Sequence, residues 1–147
     1  MYLFKSTIID APVANVWRVL RNFDSVPLWS TDVSEAVIED GGVADRIGCI
    51  RRLTLPDGSF FRETLLALSD ADHSFSYDII ESPLPVSNYV ATQRFTPVTT
   101  TGQTFTAWAV NFEVSDEDAA QMRKVIGTAI FESGFEGMKN YFEHTPK

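Results

Sequence analysis

The stretch Asp116–Phe142, DEDAAQMRKVIGTAIFESGFEGMKNYF, decides how the rest of the chain is read. Ser115 precedes it as an N-cap, and Asp116, Glu117 and Asp118 fill a first turn where the helix dipole favours negative charge. Met122, Ile126, Ala129, Ile130 and Phe131 share one greasy face, so the pattern predicts a single long amphipathic helix. Gly127, Gly134 and Gly137 interrupt that face, and each costs about 1 kcal/mol relative to alanine. Glycines kept at that cost mark where another part of the molecule approaches closely. A sheet wrapped around such a helix encloses a hollow, the expected working part of the protein.

Working back toward the start, the chain supplies that sheet. Tyr2–Ile9 reads as a first strand. Asp10-Ala11-Pro12 opens a helix, with Asp10 as the cap, Pro12 at an early helical position and an apolar stripe of Val13, Val16, Trp17 and Leu20. Asn22–Asp24 breaks it before a second short helix, Ser25–Trp29. Val33–Glu39 alternates as a strand and ends at Asp40-Gly41-Gly42. Arg46–Leu55 and Ser59–Leu68 flank Pro56-Asp57-Gly58, a strong turn signal. Asp70-Ala71-Asp72 turns into Ser74–Glu81. Ser82-Pro83-Leu84-Pro85-Val86 is a loop, because its prolines cannot donate to a ladder. Asn88–Thr96, a turn at Pro97–Gly102 and Gln103–Val114 complete the sheet. Antiparallel strands with segregated helices make an α+β fold, in which a twisted sheet curls around one helix.

Composition narrows the function. A chain of 147 residues fits one domain, residues 1–147. The formal net charge of -8 argues against nucleic acid and against anionic membrane surfaces. Cys49 is the single cysteine, which forbids an intramolecular disulfide and agrees with a cytoplasmic location. Met1–Ile9 does not read as a signal peptide, and no stretch approaches the roughly 20 apolar residues of a membrane span. His73 and His144 lack ligand spacing, so no metal and no cofactor is expected.

Strand alternation predicts what faces the hollow. If the hairpin turns symmetrically about Asp57, Leu53 lies opposite Phe61 and Arg51 opposite Glu63, all on one side. Arg52, Arg62 and Thr64 then point to solvent. Phe75, Tyr77 and Ile79 share a face, as do Tyr89, Ala91, Gln93 and Phe95, and Thr106, Trp108, Val110 and Phe112. A mostly apolar wall with a few polar groups describes a small-molecule pocket better than a dry core. Arg51–Glu63 reads either as a structural pair or as a polar anchor for a ligand's carboxylate, carbonyl or hydroxyl.

Taken in order, Ala11–Leu20, Phe23-Asp24 with Trp29, Arg46–Arg51, Glu63-Thr64-Leu65 and Asn88-Tyr89 resemble the START-like, birch-pollen-allergen-like superfamily. Within it the chain looks most like the bacterial polyketide cyclase/dehydratase and lipid-transport family, with plant abscisic acid receptors as more distant relatives. The resemblance implies a helix-grip fold: a seven-stranded curved antiparallel sheet around a long C-terminal helix, two short helices after the first strand, and an apolar cavity. It also implies two mobile loops at the mouth, a gate matching Leu55–Gly58 and a latch matching Ser82–Ser87, either of which can serve a protein partner. Ligand contacts implied by the resemblance fall on Ser30, Leu53, Pro56, Phe61, Glu63, Tyr77 and Ile79, then on Leu84, Tyr89, Trp108, Ile126, Ile130 and Gly134. Arg51 joins them through its pairing with Glu63. The receptors' carboxylate-binding lysine is replaced here by Ser30 and the gate is shorter, so abscisic acid is a poor candidate.

Three functions follow. The first is a carrier or sensor for a small hydrophobic molecule: lipid-, polyketide- or aromatic-like. The second is a cyclase/dehydratase-type enzyme with Glu63, Tyr77 or Tyr89 as acid or base and Arg51 stabilising an enolate. No histidine or nucleophilic triad faces the hollow, and Cys49, though of the same parity as Arg51, reads as an inert core thiol. The third is an interaction module whose loops close over ligand.

Overall fold

The computed structural model describes residues 1–144. Strands β1 (Tyr2–Ile9), β2 (Glu35–Ile38), β3 (Ile50–Thr54), β4 (Phe60–Ser69), β5 (Ser74–Glu81), β6 (Ser87–Val98) and β7 (Gln103–Glu113) form one antiparallel sheet. Its order is β1-β7-β6-β5-β4-β3-β2. Helices α1 (Val13–Leu20) and α2 (Val26–Trp29) follow β1. The chain then ends in α3 (Asp116–Lys124), a π-helical segment (Val125–Glu132) and α4 (Ser133–Glu143). These three run on as one helix of 28 residues gripped by the curved sheet. This is the helix-grip fold.

The β3–β4 register places Arg51 opposite Glu63 and Leu53 opposite Phe61, as the symmetric turn at Asp57 requires. The turn is closed by Leu55 N–H donating to the Ser59 carbonyl, with Gly58 at a φ of 87° that favours glycine. Row by row, Leu65, Tyr77, Ala91 and Val110 align across β4, β5, β6 and β7 on the inner face, all buried.

Four boundaries differ from the sequence reading. Asp10 does not cap α1: Pro12, with extended backbone, takes the N-cap position and offers no side-chain bond. Asp10 instead donates its backbone N–H to Glu143 Oε1. β2 is shorter than Val33–Glu39, and β3 begins at Ile50 rather than Arg46. A chain reversal through Asp40, Gly41 and Gly48, each at positive φ, breaks extension ahead of β3. Pro97 lies inside β6 rather than in the turn; the β5–β6 pairing ends at Ser74 opposite Arg94, so no neighbour needs the missing proline N–H. Leu84, in the loop between β5 and β6, is half-buried against the core.

The last helix departs most. Ser115 caps it, its Oγ accepting from Asp118 N–H. Its buried line runs Met122, Ile126, Phe131, Phe135, Met138 and Phe142. The step from Ile126 to Phe131 is five residues, wider than the usual three or four, because the turn between them is π-helical. A Cβ at Gly137 would stand 2.0 Å from the Trp29 carbonyl oxygen, and one at Gly134 would stand 3.0 Å from the Trp108 ring. Those two glycines admit α2 and β7 against the helix.

Candidate functional site

A cavity of about 510 Å³ lies between the concave sheet face and the last helix. Its mouth is framed by Leu55, Pro56, Asp57 and Ser59 from the β3–β4 turn, by Pro83 and Leu84 from the β5–β6 loop, and by Thr31–Val33 after α2. The apolar wall contains Leu53, Phe61, Phe75, Ile79, Trp29 and Trp108, with Val125, Ala129 and Ile130 from the π segment.

Beyond the polar residues at the mouth, the inner polar groups gather on the sheet side. Arg51 donates from Nε to Glu63 Oε1 at 2.7 Å, and its Nη2 lies 2.7 Å from the same oxygen. Nη1 donates to the Phe23 carbonyl at 2.8 Å. The guanidinium lies over the Phe23 ring at 3.9 Å and the Tyr77 ring at 4.9 Å, a favourable cation–π placement. Only 7% and 6% of the two side chains is exposed. Burial raises the Glu63 carboxyl, and the Arg51 charge pulls it part of the way back. Trp108 Nε1 donates to Tyr77 Oη at 3.1 Å. Burial also raises the Tyr77 hydroxyl, with Glu63 adding to the effect, and holds Tyr89 well above the ordinary tyrosine range. Both phenols therefore keep their protons at neutral pH. Gln93 completes the polar wall, its Nε2 donating to Thr106 Oγ1 at 3.4 Å.

Of the residues singled out from sequence, the structure brings Ser30, Arg51, Leu53, Pro56 and Phe61 to the cavity, together with Glu63, Tyr77 and Ile79. Leu84, Tyr89, Trp108, Ile130 and Gly134 line it as well. Ile126 does not: it is completely buried in the core, because the five-residue step turns it away while Val125, Ala129 and Ile130 face the cavity. Sequence reasoning missed Trp29 and Phe23. Both stand within stretches quoted above, but their roles depend on distant partners, Gly137 and Arg51. Cys49 is buried, its thiol raised by desolvation. Among the described residues no group of three or more His, Cys, Asp or Glu is arranged to hold a metal ion, and no helix is long and apolar enough to cross a membrane.

With this geometry in place, the chain belongs to the polyketide cyclase/dehydrase and lipid transport family, whose profile matches residues 3–143. It is similar to a solved protein from Nitrosospira multiformis at 27% identity, covering 97% of this chain and 96% of that one, with a TM-score of 0.82. A Thermobifida fusca solution structure matches at 24% identity, 99% and 97% coverage and a TM-score of 0.85. Norcoclaurine synthase from Thalictrum flavum, solved with dopamine and hydroxybenzaldehyde, shares the fold at 16% identity, with 100% and 89% coverage and a TM-score of 0.77. The chain is thus a ligand-binding START-like domain.

Proposed function

We propose that the protein binds a small hydrophobic molecule in this cavity, as a carrier or sensor. The observation that carries the reading is an open chamber of about 510 Å³ with a mainly apolar inner wall, its inner polar groups gathered on the sheet side and the others at the mouth. Transfer of an apolar ligand into such a space gains roughly 25 cal/mol per Å² of apolar surface removed from water. The polar cluster then orients the ligand rather than driving its capture.

The same cluster weighs against acid–base chemistry at neutral pH. Tyr77 and Tyr89 hold their protons too firmly to act as bases, and the Arg51 charge on Oε1 works against the Glu63 carboxylate taking up a proton, although its Oε2 stays open. A neutral fluorescent probe, N-phenyl-1-naphthylamine, tests the reading. It is expected to bind saturably with enhanced emission, and Ala129→Trp, which fills the chamber from the helix side, is expected to weaken it about tenfold or more with circular dichroism unchanged. Absence of saturable binding to the wild-type protein would remove the reading.

A further inference from the structure

We infer that the cavity selects an uncharged ligand carrying a hydroxyl group, with Glu63 as the acceptor that chooses it. This rests on the binding reading above and goes further by naming the ligand's polar chemistry.

Arg51 is not available to grip an anion. Two of its nitrogens lie against Glu63 Oε1, a third is on the Phe23 carbonyl, and its flat face lies over two aromatic rings. Its charge is cancelled where it stands. Arg51 is also the only cation on the cavity wall among the described residues, whereas Asp32 and Asp57 add two carboxylates at the mouth. An entering carboxylate would lose its water, meet like charge at the mouth and find no free cation within.

Glu63 is in the opposite position. Both Arg51 contacts fall on Oε1, and Oε2 has no protein donor among the described residues. With no buried side-chain oxygen left unpartnered among the described residues, Oε2 is open to the cavity, where water serves it until a ligand displaces that water and must donate in its place. An ammonium would supply a donor, and the mouth carboxylates would let it pass, but it would place a second cation across the same carboxylate from Arg51. A hydroxyl supplies the proton without the charge, and its oxygen can accept from the neighbouring Tyr77 or Tyr89, which remain protonated. An ether or ketone of the same size displaces that water without replacing its hydrogen bond, and an acceptor left unpaired on binding discriminates strongly.

Competition against bound N-phenyl-1-naphthylamine by four molecules of equal chain length tests this: decan-1-ol, 1-methoxydecane, decanoate and decylammonium. Decanol is expected to compete about tenfold better than each of the others. Glu63→Gln leaves Arg51 uncompensated, and the decanol-to-decanoate preference is expected to fall by about tenfold or more. Should that variant fail to fold, Arg51→Met/Glu63→Leu removes both charges, and decanol should then lose its advantage over 1-methoxydecane. Wild-type protein that takes decanoate, decylammonium or the ether as well as decanol overturns the inference. So does a decanol preference that survives the double variant. A probe that never binds overturns the cavity reading instead, and the inference with it.

Discussion

The two ends of the last helix are built differently. α4 is clamped: Gly134, Phe135, Met138 and Phe142 are buried, the Trp29 carbonyl sits against Gly137, and Ser133 Oγ donates to Asp32. α3 buries only Met122 and is otherwise charged. Between them the π segment carries Val125, Ala129 and Ile130 on the cavity wall and Phe131 stacked on Trp108 at 4.2 Å. α4 holds the domain together, the π segment supplies the helix side of the cavity wall, and α3 lies beyond the cavity. Local stability follows buried contact, so the first half should open more easily than the second.

Substitution at the clamp gives the largest effect. Gly137→Ala would push a methyl into backbone rather than into a movable side chain, and a loss of about 3 kcal/mol is expected in urea unfolding. A near-neutral result would break the comparison. The buried polar cluster comes next. The folded values of Tyr77 and Tyr89 lie above the unfolded value of 10.0, so the unfolded chain releases these protons first. Stability from them is complete below pH 10.0 and is lost as pH rises past it, on the order of 1 kcal/mol per pH unit for each group. Unfolding measured on either side of that pH should show the slope, and Tyr89→Phe should reduce it. Gly134→Ala brings a methyl to 3.0 Å from the Trp108 ring, a side chain rather than backbone, though one stacked on Phe131; a loss of about 1–2 kcal/mol is expected, together with weaker probe binding.

The loosely held half should answer differently. A Cβ at Gly127 meets only the Lys5 Cε, at 3.3 Å, the flexible end of a side chain. Gly127→Ala is therefore expected to be neutral or to stabilise by up to about 1 kcal/mol. Ser115→Ala removes the cap of α3 and costs that helix about 1 kcal/mol. Hydrogen exchange should show faster opening confined to Asp116–Lys124, with the melting temperature unmoved. A fall in global stability equal to the local loss would mean that α3 is as firmly docked as α4.

Much of the architecture was legible in the chain. The pairing of Arg51 with Glu63 followed from one turn, because alternation carries a known register outward from Pro56-Asp57-Gly58. The glycines of the helix announced close approach, and Gly134 and Gly137 meet it. Ile126 shows the limit. A period of 3.6 residues places it beside Ile130, and a π-helical turn separates them. Nothing local marks that turn; it belongs to how the helix seats against Trp29, Trp108 and the sheet.

Sequence alone determined the strand alternation, the turns and the amphipathic stripe, since each depends on neighbours a few residues apart. Whether the sheet and helix left space between them was decided by tertiary packing. So was the direction in which Arg51 spends its hydrogen bonds, because its partners Phe23 and Glu63 lie 28 and 12 residues away. Chain proximity specifies which way a side chain points, while only the assembled fold specifies what it finds there.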